Sequence, residues 1–81
     1  MNGKSIGLIE LSSIAAGFAV ADAMLKAADI QLILSRSICS GKYMVLIGGA
    51  VGAVQRAVAA GVIEANGCII DKFIISNVHA D

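Results

Sequence analysis

The segment Ser37-Ile38-Cys39-Ser40-Gly41-Lys42 separates two runs of residues that both have the features of β-strands. Residues 30–37 show the two-residue period of a strand, and residues 43–47 form a continuous apolar run. Because only a short loop separates the two runs, we expect them to pair antiparallel as a hairpin with Cys39 at its tip. Loops that differ in composition from their surroundings often carry function, so this polar, thiol-bearing turn is the first candidate site.

The residues before the hairpin predict one strand followed by one helix. Residues 5–11 are apolar without a helical period and are typical of a buried strand, in which Glu10 is the exception. Ser12 and Ser13 can cap a helix that follows. Spacings of four and three residues then predict the buried stripe of this helix, which consists of Ile14, Phe18, Ala21, Leu25 and Ala28.

The residues after the hairpin predict a second helix and a last strand. The glycine-rich segment of residues 48–52 leads into the helix, and Gly61 is its expected end. The segment fits neither the dinucleotide-binding nor the P-loop pattern, so close packing of the helix on a sheet explains it better than phosphate binding does. Residues 68–75 form the last strand. This order of elements predicts an α+β, ferredoxin-like βαββαβ fold with an antiparallel sheet and both helices on one face.

The composition predicts a single domain, residues 1–81, that buries apolar surface between subunits. Hydrophobic residues make up 58% of the chain and the mean hydropathy is +0.88, which is more apolar surface than one small core can hide. The longest uncharged run, residues 43–55, is 13 residues long, whereas a membrane-spanning helix needs about 20. Glu10 follows too early for a signal peptide, so the cytoplasm is the expected compartment, where thiols stay reduced.

The charged and nucleophilic residues exclude two classes of function. Six basic and six acidic side chains give a net charge of zero without any block of like charge, so nucleic acid is not an expected partner. No set of residues has the pattern of a catalytic site, so the chain is not expected to be an enzyme. Cys68 is expected to be a buried structural thiol, His79 a solvated side chain, and the Asp22–Lys26 pair an exposed helix contact.

Three separated segments agree in order and spacing with one known family. They read Ile-Gly-Leu-Ile-Glu at residues 6–10, Ala-Asp-Ala-Met-Leu-Lys-Ala-Ala at residues 21–28, and Gly-Gly-Ala-Val-Gly-Ala-Val-Gln at residues 48–55. Together these segments resemble the bacterial microcompartment (BMC) shell domain over residues 5–79. The resemblance implies a flat six-fold or pseudo-six-fold tile in the shell of a cytoplasmic microcompartment. Its partners would be further copies, other shell proteins and encapsulated enzymes.

The resemblance to this family also implies roles for individual residues. The hairpin residues Ile38, Cys39, Ser40 and Gly41 would line the central pore of the tile. Lys26 would lie at the outer edge, where neighbouring tiles meet. The family commonly has an aspartate that caps the second helix at the position of Ala50, and this chain departs from the family there.

Within the family, residues 37–42 and residues 76–79 resemble the first domain of the tandem-domain shell proteins of propanediol-utilisation microcompartments. In those relatives the matching cysteine binds an iron–sulfur cluster. The resemblance implies that Cys39 is a metal ligand of a cluster, such as 4Fe–4S, shared between subunits for electron transfer. A chain with one pore cysteine cannot hold a cluster alone, because such clusters usually need about four thiolates.

Three alternatives remain open at the level of the sequence. The tile can be a hexamer of single domains or a fragment of a tandem-domain trimer. The pore can conduct a metabolite without a cluster, with Cys39 only narrowing the opening. The chain can also be a ferredoxin-like regulatory domain that binds a small effector.

Overall fold

The computed structural model describes residues 4–39 and 41–78, which form one four-stranded sheet and two helices. In chain order the elements are β1 (Lys4–Leu11), α1 (Ile14–Ala27), β2 (Gln31–Cys39), β3 (Lys42–Gly49), α2 (Val51–Ala65) and β4 (Ile69–Val78). The strands lie in the order β2-β3-β1-β4, and every neighbouring pair is antiparallel. The predicted α+β, ferredoxin-like βαββαβ fold is therefore confirmed.

Strand β1 lies inside the sheet, and the alternation along it separates the two faces of the sheet. Its odd-numbered residues are buried beneath the helices, and they are Ser5, Gly7, Ile9 and Leu11. Successive side chains of a strand point to opposite faces, so the half-buried Glu10 lies on the face that the helices leave open. The acidic exception in an otherwise apolar strand is thus a residue of the open face.

Helix α1 begins as predicted but buries a different face. Ser13 is the N-cap, and its hydroxyl accepts a hydrogen bond from the backbone N–H of Ala16 at 3.2 Å. The predicted stripe is wrong for three of its five members, because Phe18 is 64% exposed and Ile14 and Leu25 are also exposed. Ala21 is buried as predicted, and Ala28 packs against the core. The residues that the helix buries are Gly17, Val20, Ala21 and Met24.

Glycine explains why α1 turns this way. The Tyr43 ring lies against Gly17 so closely that a Cβ at that position would overlap the ring. Only a residue without a side chain lets the helix approach the aromatic ring at this distance. The helix therefore places Gly17 toward the sheet, and Phe18 on the neighbouring position turns outward.

Helix α2 is longer than predicted, and Gly61 does not end it. The helix continues to Ala65 and ends where Asn66 takes a left-handed conformation with φ of 48°. Gly61 lies buried inside the helix, where an added Cβ would come within 2.7 Å of Cδ1 of Ile9. The glycine is needed for close packing between α2 and the sheet and not for a turn. At the other end Ala50 precedes the helix without a side-chain cap.

The predicted strands are all present, with bounds that differ by a few residues. The last one, β4, begins at Ile69 and runs to Val78. Neither α1 nor α2 has the length and apolarity that a transmembrane helix needs, and these are the helices of the described ranges 4–39 and 41–78.

Candidate functional site

The hairpin that carries Cys39 turns within two residues. Strand β2 ends at Cys39, β3 begins at Lys42, and these two residues are partners in the sheet register. Gly41 has a φ of 75°, a left-handed conformation that glycine adopts without strain. Cys39 was predicted in the loop and instead belongs to the end of the strand. The predicted pore residue Ser40 lies outside the described residues.

A β-bulge lies directly before the cysteine. Ser37 pairs with Tyr43 and Cys39 pairs with Lys42, so Ile38 has no counterpart in β3, as Ile33 has none near the start of β2. Such a bulge bends the strand and changes the direction of the side chains that follow. Ile38 is 40% exposed, and Cys39 and Gly41 are also exposed. The structure therefore brings three predicted pore residues together at one accessible end of the hairpin.

Tyr43 fixes the base of the same hairpin. Its hydroxyl lies 2.8 Å from Oγ of Ser35 on the adjacent strand, a distance at which one donates a hydrogen bond to the other. The Phe18 ring packs edge-on against the Tyr43 ring, with centroids 5.5 Å apart. Our sequence reasoning did not assign this role to Tyr43. The signal for it was a glycine, Gly17, inside an otherwise alanine-rich helix.

Cys39 is a free, exposed thiol. Near it, the Ser37 hydroxyl donates a weak hydrogen bond to the Cys39 carbonyl oxygen at 3.5 Å, which leaves the sulfur uninvolved. Among residues 4–39 and 41–78, no three histidine, cysteine or acidic side chains lie close enough together to bind a metal ion. One chain thus supplies a single thiolate at this end of the hairpin. An iron–sulfur cluster fits this position only if copies of Cys39 from several chains converge.

Cys68 directly precedes the last strand and is only partly buried. Its backbone carbonyl accepts hydrogen bonds from the N–H of Ser12 at 2.8 Å and from the Ser12 hydroxyl at 3.2 Å. The residue joins the ends of β1 and α2 through its backbone, and its side chain packs on the core. A structural role for Cys68 is consistent with these contacts, although its burial is less than predicted.

Lys26 lies in the last turn of α1 and is accessible. Its Nζ is 2.9 Å from Oδ2 of Asp22, and the lysine side chain is 76% exposed. The hydrogen bond to the Asp22 carboxylate and the charge of that carboxylate raise the pKa of Lys26. The ammonium is therefore held in its charged form on the protein surface. His79, which was predicted to be solvated, lies outside the described residues.

Comparisons with known proteins place these features in a family. A family model for the BMC domain matches residues 5–78. The chain is 46% identical to the bacterial microcompartment shell protein PduT of Citrobacter freundii, over 95% of this chain and 42% of PduT. It is 34% identical to the bacterial microcompartment shell protein PduA of Salmonella typhimurium, over all of this chain and 88% of PduA.

The fold and the sequence of this chain are both similar to those of one solved structure. The crystal structure of a microcompartments protein from Desulfitobacterium hafniense DCB superposes with a TM-score of 0.93 at 52% identity. The superposition covers 95% of this chain and 43% of that chain. The chain thus spans less than half the length of PduT and of the Desulfitobacterium protein, but most of the length of PduA.

These relatives agree with the expected structural role. Both named proteins are shell proteins, and the family model extends over almost all of the described residues. This favours a shell protein over an enzyme and over an effector-binding regulatory domain with a similar fold. The chain therefore belongs to the BMC domain family of bacterial microcompartment shell proteins.

Proposed function

We propose that this domain forms cyclic tiles in the shell of a cytoplasmic microcompartment, and that copies of Cys39 at the central pore hold an iron–sulfur cluster. The observation that carries the proposal is the position of the thiol. Cys39 is exposed at the very end of the β2–β3 hairpin, directly after a bulge and before a two-residue turn. A residue at such a projecting end can come close to a symmetry axis together with its copies.

Symmetry supplies the ligands that one chain lacks. Three copies of the hairpin around an axis would present three Cys39 thiolates, and six copies would present six. A 4Fe–4S cluster with three protein thiolates keeps one iron open to a small ligand or to a redox partner. When bound, the cluster would supply one-electron transfer across the shell. The resemblance of residues 37–42 to the cluster-binding hairpin of tandem-domain relatives supports this assignment.

The residues around Cys39 have supporting roles in this proposal. Gly41 permits the tight turn that keeps the thiol at the end of the hairpin. The Tyr43 ring, held by Ser35 and Phe18, anchors β3 at its second residue and so fixes the direction of the hairpin end. Ile38 and Ser40 would line the pore beside the thiol. Lys26, exposed at the end of α1, would contact the neighbouring tile.

The number of thiols at the pore depends on how many domains one protein contributes. A hexamer of single domains would bring six copies of Cys39 to the pore, and a tile of three two-domain proteins would bring three. The ratio of iron to chain distinguishes the two, because one 4Fe–4S cluster per pore gives four iron atoms for three two-domain proteins but four for six single-domain chains.

A pore without a cluster is the second candidate function. It is favoured by one observation, namely that the described residues place no second metal-binding side chain near Cys39. In that case the thiol would act as a small, moderately apolar side chain that narrows a metabolite channel.

Anaerobic reconstitution with iron and sulfide separates the two candidates. We expect a brown oligomer with about one cluster per pore and the charge-transfer absorption of thiolate-bound iron. Cys39→Ser should remove the colour and the bound iron, while the matched control Cys68→Ser should retain both. If wild type binds no more iron than Cys39→Ser does, the pore is a channel without a cluster. Electron microscopy of the same samples tests the tile itself.

A further inference from the structure

The β2–β3 hairpin carries positive charge only, although the chain as a whole is neutral. Six basic and six acidic side chains balance over the full sequence. Residues 31–49, which form the hairpin, contain Arg36 and Lys42 but neither aspartate nor glutamate. The hairpin therefore has a charge of +2, and the remaining residues together carry −2.

Both cations lie on the same face of the hairpin as Cys39. Cys39 is the direct partner of Lys42 in the register. Directly opposed residues of an antiparallel pair point to the same face, with Cβ atoms about 4.5–5.5 Å apart. Arg36 is the partner of Met44, which follows Lys42 by two positions and so shares its face. One cation thus lies across the strand pair from the thiol, and the other precedes the thiol along β2.

The acids on this face of the sheet leave the hairpin end positive. Glu10 on β1 lies one strand away from Lys42 and is opposite the next residue of β3 on this face, further from the hairpin end. Asp71 lies a further strand away, opposite Glu10. Lys42 and Arg36 are both exposed, and among residues 4–39 and 41–78 neither forms a salt bridge. The charge that is closest to Cys39 in the register is therefore the ammonium group of Lys42.

Positive charge at this position affects the two redox states of a cluster unequally. The reduction potential of an iron–sulfur cluster depends on its net charge, on hydrogen bonds to its sulfurs and on its exposure to solvent. The reduced cluster carries one more negative charge than the oxidised cluster, so a nearby cation stabilises the reduced form more. Each copy of the hairpin that joins the pore brings its own two cations together with its own thiolate.

We infer that Lys42, supported by Arg36, surrounds Cys39 with positive charge and raises the reduction potential of a cluster held there. The inference rests on the iron–sulfur cluster proposed above and names the residues that tune it. Lys42 is not a ligand in this arrangement, because an ammonium group is a donor without a lone pair. It acts on the cluster through its charge, so a residue of equal charge should replace it.

The charge at Cys39 can be measured in the chain without iron. In a Cys68→Ser background Cys39 is the only thiol, and it is exposed. Its rate of reaction is compared between a disulfide reagent that carries two carboxylate groups and a neutral pyridyl disulfide. The ratio of the two rates at one pH cancels the fraction of thiol that is ionised. Lys42→Gln should lower this ratio about two- to fivefold at low ionic strength, and Arg36→Gln should lower it less. Lys42→Arg should keep the wild-type ratio.

Redox titration of the reconstituted protein, with dithionite as the reductant, gives the second readout. Lys42→Gln should have a lower reduction potential than wild type, and Lys42→Arg should have the wild-type value. Lys26→Gln is the matched control, since it removes an exposed lysine that lies just before the start of β2, whereas Cys39 ends that strand. This control should change neither the rate ratio nor the potential.

The two readouts separate the inference from the function on which it rests. If Lys42→Gln has the rate ratio of wild type, the cations do not act on Cys39, and the inference is wrong whether or not a cluster forms. If the rate ratio falls and the potential stays the same, Lys42 does not tune the cluster. A wild-type chain that binds no iron overturns the cluster and the effect on its potential, and the rate ratio then still decides the charge at Cys39.

Discussion

The hydrogen bond between Ser35 and Tyr43 predicts an energetic coupling that can be measured. Tyr43→Phe removes the hydroxyl and keeps the ring that packs against Gly17 and Phe18. A neutral hydrogen bond contributes about 0.5–1.5 kcal/mol, and leaving one buried partner unsatisfied costs about 1–3 kcal/mol. Ser35 is only half-buried, so water can satisfy part of the loss. We expect each single variant, Tyr43→Phe and Ser35→Ala, to lower the free energy of unfolding by about 1 kcal/mol.

The double variant separates this bond from other effects of the two substitutions. If the hydroxyls interact, the double variant loses less stability than the sum of the singles, by about 0.5–1.5 kcal/mol. Urea unfolding at one fixed protomer concentration is the appropriate assay, because assembly adds stability that depends on concentration. Non-interacting sites usually add within about 0.3–0.5 kcal/mol. A coupling inside that range would refute the role of Tyr43 as the anchor of the hairpin.

Two further predictions concern the tile edge and the packing of α2. Lys26→Ala should leave the oligomer intact and change the free energy of unfolding by no more than about 0.5 kcal/mol, because the side chain is exposed. The same variant should form fewer extended sheets of tiles in electron micrographs. Sheets that form as readily as in wild type would contradict the edge role. Gly61→Ala should lower the free energy of unfolding by about 1 kcal/mol, measured by urea unfolding. Overpacking of the core costs about 1–3 kcal/mol, and the higher helix propensity of alanine offsets about 1 kcal/mol of this. The control Gly52→Ala, exposed on the same helix, should be neutral or stabilising, and the reverse ranking of the two variants would show that the core adapts.

The order of the elements was predictable because each leaves a local signal in the sequence. Residues 5–11 and 43–47 are apolar runs without a helical period, and a serine precedes the first helix at the position where the N-cap lies. These signals depend only on neighbouring residues. The ferredoxin-like order therefore follows from the chain alone, and the family resemblance adds the assembly.

The geometry around Cys39 was not predictable, because it depends on the pairing of two strands. The sequence reasoning ended β2 at residue 37 and left the cysteine in a loop. In the structure a bulge at Ile38 shifts the register by one residue, and the strand continues to Cys39. No local pattern distinguishes a bulged residue from its neighbours in an apolar strand. The direction of the Cys39 thiol, on which the proposed pore depends, is thus set by the pairing of β2 with β3. The local sequence of residues 37–42 does not determine it.

Glycine was the other source of error, since its role depends on what lies opposite. Gly61 was interpreted as the end of a helix, although it lies against Ile9 and Met24 in the core. The actual end is at Asn66, one of the few residues besides glycine that adopts the left-handed conformation readily. A glycine inside a helix and a glycine after it are identical in sequence. Only the packing of α2 on the sheet decides between them.

The exposed stripe of α1 shows why a correct apolar pattern was assigned to the wrong neighbour. Ile14, Phe18 and Leu25 recur at helical spacing, and this periodicity indicates a face that avoids water. Within one chain that face is exposed, because Gly17 and Met24 occupy the side toward the sheet. Helical periodicity predicts that a face is buried, but it does not show whether the same chain or another chain covers that face. In a small domain with 58% hydrophobic residues, the uncovered faces of α1 and of the two edge strands are therefore the surfaces on which assembly has to act.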